Sequence, residues 1–86
     1  MNFQNIIASL KRNISVMEAM YNRTCIAKYR TAAIYSRDTL FLAMKASRKY
    51  PAYDPTLRFS PVRGVMRFSG GVWEVIDSIE ALKAWH

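Results

Sequence analysis

The sequence predicts an α+β domain in which helices come first, a small antiparallel sheet follows and a short helix closes the chain. Three observations carry this. Phe3, Ile7, Leu10, Ile14, Met17 and Tyr21 recur at alternating steps of four and three, the spacing of one helix face. Pro51, Pro55 and Pro61 exclude a regular helix from the segment that holds them. Two strand-like runs then flank Gly70-Gly71, a pair able to adopt the positive φ angles of a tight hairpin turn.

The first stripe predicts a helix over about Asn2–Tyr21, with Asn2 as N-cap and Lys11, Arg12 and Glu18 off the apolar face. Asn5 stands where a reciprocal capping Glu or Gln would sit, so the assignment rests on the stripe. The stripe is too short for a coiled-coil assignment. Packing against the next helix is the simpler expectation, and a homodimer through the N-terminal helix is the alternative.

Residues 22–49 read as helical with two divisions open. Asn22 ends the first helix, Thr24 caps a second through Ile26, Tyr29, Ala33 and Ile34, and Ser36 or Asp38 caps a third carrying Leu40, Phe41 and Met44. Alternatively, one long helix is broken only at Asn22. The unit is therefore a helical hairpin or a three-helix unit, with Lys45, Arg48 and Lys49 suiting its negative C-terminal end.

Leu57 and Phe59 alternate with Arg58 and Ser60, enough for a short strand. The hairpin over 65–76 can be registered from its turn. A two-residue loop sets Ser69 against Val72, Phe68 against Trp73, Arg67 against Glu74 and Met66 against Val75. Phe59 and Phe68 are expected to pack inward, with Trp73, while Arg58 and Arg67 face solvent. Asp77, with Glu80 three residues on, is expected to cap a terminal helix whose apolar edge is Ile79, Leu82 and Trp85.

With 86 residues, 51% of them hydrophobic, the chain is expected to fold as one domain spanning 1–86. Its thirteen Lys and Arg against six Asp and Glu give a formal charge of +7. The excess lies in 1–71, with twelve basic and three acidic groups, whereas 72–86 hold one basic and three acidic. Such a field attracts anions. No stretch approaches the ~20 apolar residues that span a bilayer, and the first thirty residues do not read as a secretory signal. A cytoplasmic location without membrane attachment is expected. Lys11 and Arg12 alone are thin support for a helix lying on a lipid surface.

No constellation of catalytic residues is legible, and the chain is read as a non-enzyme. One cysteine, Cys25, and one histidine, His86, exclude a disulfide within the chain and a multi-cysteine zinc site. Cys25 is expected to be a buried packing residue. Glu74, Asp77 and Glu80 have structural explanations, and no spacing rule joins Glu18, Asp38 and Asp54. Gly70-Gly71 lacks the lysine and helix start of a phosphate-binding loop. Neither metal nor cofactor is expected.

The positive reading is a small basic binding protein. Lys28-Tyr29-Arg30, Arg48-Lys49-Tyr50, Arg58-Phe59 and Arg67-Phe68 set cations beside aromatics, as phosphate and base contacts require. The residues assigned to an anionic partner are Lys28, Arg30, Arg37, Lys45, Arg48 and Lys49, with Arg23 and Arg58 secondary. Tyr50 and Tyr53, among the prolines, are candidates for stacking or interface contacts. Nucleic acid or a nucleoprotein complex is the first expectation for the partner. The alternative is an inhibitor or adaptor that binds an acidic surface of a host protein or defence complex. Small phage- and plasmid-borne proteins of that kind are similar in length and charge only.

Overall fold

A computed structural model describes residues 3–85. Asn2 and His86, to which the sequence gives a cap and the sole imidazole, lie outside the described residues. The order of elements is α1 (Phe3–Thr24), α2 (Ala27–Lys49), β1 (Leu57–Ser60), β2 (Gly64–Ser69), β3 (Val72–Asp77) and α3 (Ile79–Ala84). This is the α+β arrangement the sequence predicts, with the helical unit resolved as a hairpin.

α1 runs three residues past Tyr21. Thr24, expected to cap a second helix, instead belongs to the last turn of α1 and donates its hydroxyl to the Met20 carbonyl at 2.7 Å. The break falls at Cys25, whose φ of 55° is left-handed and whose N–H donates to the Tyr21 carbonyl at 2.7 Å. Cys25 is therefore exposed at a helix end, not buried as packing. α2 continues through Ser36 and Asp38 for 23 residues. Those side chains begin no third helix, because nothing around them, no Gly or Pro, interrupts the helical run.

The stripe of α1 faces α2: Phe3, Ile7 and Ile14 are buried, and Leu10, Met17 and Tyr21 are half-buried. The stripe thus packs against the next helix, as expected, and occupies within the chain the face considered for a homodimer. The core joins Phe3 and Ile7 to Leu42, Ala43 and Ala46 of α2, to Leu57, Phe59 and Val65 of the sheet and to Leu82 of α3. Phe3 and Phe59 meet edge to face with centroids 6.5 Å apart. All these contacts use the first half of α1 and the second half of α2. The other end of the hairpin extends beyond the sheet, giving a body of 47 × 27 × 22 Å.

The sheet has order β1-β2-β3, antiparallel throughout. The hairpin register is the one the turn predicts: Ser69 opposes Val72, Phe68 opposes Trp73, Arg67 opposes Glu74 and Met66 opposes Val75. One residue further the ladder shifts, so that Val65 opposes Asp77 and Ile76 is the extra residue of a bulge. Paired residues share a face. The bulge therefore turns Asp77 toward the helices, on the side of Val65.

This placement overturns the expected cap. Ser78 caps α3, accepting from the Ala81 N–H at 3.1 Å. Asp77, only 6% exposed, takes the Lys49 ammonium at 2.8 Å and the Tyr50 hydroxyl on its two oxygens. The expectation for Phe68 and Trp73 is also overturned. Phe59 opposes Val65 and Arg58 opposes Met66, so Phe68 lies on the Arg58 side of the sheet. The helices cover the other side, leaving Phe68 46% and Trp73 36% exposed.

Candidate partner-binding surfaces

The sequence-predicted cations divide into three groups. Lys45 and Lys49 are engaged inside the protein. Lys45 is 6% exposed; its ammonium donates to the Lys83 carbonyl at 2.8 Å and sits 5.0 Å from the Phe41 ring. Lys49 is held by Asp77. Arg23 and Lys28 are exposed at the far end of the hairpin, with the Lys28 ammonium 5.2 Å from the Tyr29 ring. Lys28 is two residues from Arg30, so the two do not share a helix face. Arg30, Arg37 and Arg48 are brought together on one face, and Arg58 lies apart on the sheet.

Arg30, Ile34, Arg37, Phe41, Met44 and Arg48 are spaced four, three, four, three and four apart, and all six are exposed. They form one stripe along about 27 Å of α2. The sequence places Ile34, Phe41 and Met44 among apolar helix residues without separating them from the core. The structure does so because α2 turns Ala33, Leu42, Ala43 and Ala46 into the protein and leaves the stripe outside them. Between this stripe and α1 run two open hollows. One, of about 400 Å³, is lined by Glu18, Tyr21 and Asn22 against Arg30, Ile34 and Arg37. The other is lined by Gln4, Ile7 and Lys11 against Phe41, Met44 and Arg48. Lys11, read from the sequence only as a solvent-facing residue, thus joins the groove.

Glu18 pairs with Arg37 across it. Arg37 is exposed and Glu18 half-buried, so the pair contributes at most about 1 kcal/mol and a partner's carboxylate can displace it. Arg30 and Lys11 take part in no ion pair among the described residues, and Arg48 lies 5.9 Å from the Trp85 ring. The groove is apolar along its floor and cationic along its rim.

The second surface is the outer face of the sheet. Phe68 and Trp73 are cross-strand neighbours with ring centroids 5.3 Å apart, and the Arg58 guanidinium lies 4.4 Å from the Trp73 centroid. Met66, between Arg58 and Val75 in the ladder, is buried on this face, as is Gly64 two residues before it. Arg67 and Glu74 point to the opposite side, as their register requires. The signal for this surface lies in the sequence as the Arg58–Met66–Phe68–Trp73 set, but it reads equally well as core.

Tyr50 and Tyr53, paired as candidates, separate. Burial and the hydrogen bond to Asp77 push the Tyr50 hydroxyl up to about 12, so it stays protonated at neutral pH as a structural donor. Tyr53 is exposed in the loop before β1. Among the described residues, no three His, Cys, Asp or Glu side chains gather as metal ligands do, and no helix is long and apolar enough to cross a membrane. Comparison with family models, with curated proteins and with solved structures finds no match for this chain.

Proposed function

We propose that this chain is a non-enzymatic binding protein whose α1/α2 groove receives an acidic amphipathic helix of a partner protein. The exposed stripe Arg30-Ile34-Arg37-Phe41-Met44-Arg48 carries the reading. Ile34 and Met44 offer nothing to a phosphate backbone, whereas apolar anchors at helical spacing between cations suit a helix with one apolar edge and acidic flanks. Such a helix would complete a three-helix bundle on a hairpin that has no sheet over its far end. The cationic rim would steer the encounter and the apolar floor would hold the complex. A cytoplasmic adaptor or inhibitor acting on an acidic host surface fits this reading. Nucleic acid in the same groove is the competing reading, supported by the net charge of +7.

The test is amide chemical-shift mapping on the full chain with an acidic amphipathic helical peptide and a scrambled peptide of equal charge. The ordered peptide is expected to shift Ile34, Phe41 and Met44 saturably, and Phe41→Ser to remove that binding. Equal binding of the scrambled peptide, or saturable binding of duplex DNA lost in Arg30→Gln/Arg48→Gln, would overturn the assignment.

A further inference from the structure

We infer that the outer face of the sheet is a separate stacking platform for single-stranded nucleic acid. Both aromatic rings are solvent-exposed, stand on adjacent strands and are 5.3 Å apart. Arg58 already lies on Trp73, so a guanidinium is held beside the rings rather than recruited on binding. The register places no carboxylate on this face: Glu74 is on the opposite side, and the paired positions are Arg58, Ser60, Gly64, Met66, Phe68, Trp73 and Val75. The charged side chain of this face is Arg58, and the turn between β1 and β2 adds Arg63, both cationic. The surface therefore complements a polyanion.

Shape and chemistry narrow the ligand further. Residues of this face line neither groove hollow, and its two rings lie open at the surface. Aromatic planes beside a cation are what stacked bases and their phosphates require, without regard to sequence. A duplex hides its base faces and a single strand presents them. The site shares no residue with the α1/α2 groove, and the inference stands independently of the function proposed for that groove.

The test uses the full chain carrying Trp85→Phe, so that Trp73 is the only indole, with labelled oligo(dT) of about twelve nucleotides and a duplex of equal length. Quenching of Trp73 by oligo(dT), with weaker binding of the duplex, is expected. Trp73→Ala and Phe68→Ala should each weaken binding about tenfold or more. Arg58→Ala should lower the dependence of log affinity on log salt by about one. Arg30→Gln/Arg48→Gln should leave Trp73 quenching intact. Equal affinity for the duplex, absence of quenching at low salt, or unchanged affinity in the folded Trp73→Ala variant would each overturn the platform. A protein partner that buries Trp73 in place of oligo(dT) would do the same.

Discussion

The Lys49 ammonium lies 2.8 Å from Asp77 Oδ1, joining the last turn of α2 to the last residue of β3. The other carboxylate oxygen takes the Tyr50 hydroxyl, so one buried side chain holds the end of α2 against the sheet. Removing Lys49 would leave Asp77 charged and without its cation. Lys49→Met is expected to destabilise by about 2–4 kcal/mol, below the largest values for buried pairs because Lys49 itself is partly solvated. Asp77→Asn in the same chain should restore part of that loss, since it removes the stranded charge. Urea denaturation of both variants checks this; a loss under about 0.5 kcal/mol for Lys49→Met would make the pair incidental.

The same contacts set a pH dependence at both extremes. Burial alone would push Asp77 up, but hydrogen bonds from Lys49 and Tyr50 and the Lys49 charge outweigh it and hold the carboxyl below its ordinary 3.8. A lowered folded value means stabilisation that is present above pH 3.8 and is lost as pH falls through the folded value. Tyr50 works in the opposite direction. Its contribution is present below pH 10.0 and is lost as pH rises toward about 12. Thermal midpoints across pH should therefore fall at both ends. Tyr50→Phe should flatten the alkaline limb and remove a phenolate component titrating near pH 12.

Gly64 tests the bulge that brings Asp77 inward. Its φ is +100°, and a Cβ there would lie 2.1 Å from the Asp77 carbonyl oxygen. Gly64→Ala should destabilise by about 3 kcal/mol or more, since backbone must move. Gly70→Ala and Gly71→Ala have open space and meet only the left-handed penalty of about 1–2 kcal/mol. The difference marks what the sequence can reveal. Gly70-Gly71 was legible as a turn because two apolar runs flank it. The need for glycine at 64 is created by a strand that arrives later in the chain, and no local pattern announces it.

Phe68 separates register from face in the same way. Cross-strand pairs follow from the turn, so the ladder from Met66 to Ser69 could be read directly. Which side meets the helices could not, because both sides of the sheet carry apolar residues: Leu57, Phe59 and Val65 on one, Met66, Phe68, Trp73 and Val75 on the other. Had Phe68 been core, its truncation would remove about 3–5 kcal/mol. With Phe68 46% exposed, Phe68→Ala is expected to remove about 1 kcal/mol, whereas Leu82→Ala, at a fully buried position, should remove about 2–5. Equal losses in the two variants would return Phe68 to the interior.

Lys45 and Arg48 give the sharpest contrast within the candidate site. From the sequence they are equivalent cations near one helix end. In the structure Lys45 turns toward α3 and donates to the Lys83 carbonyl, one of the carbonyls left unpaired at the end of that helix, while Arg48 stays on the exposed stripe. Lys45→Ala should therefore destabilise by about 1–3 kcal/mol through the lost charged hydrogen bond. Arg48→Ala should change stability by no more than about 0.5 kcal/mol. Binding of the acidic helical peptide should respond the other way, weakening with Arg48→Ala and surviving Lys45→Ala once the variant is folded. Neutral stability in Lys45→Ala together with lost binding would move Lys45 from the scaffold to the partner surface and shift the groove one helix face toward α3.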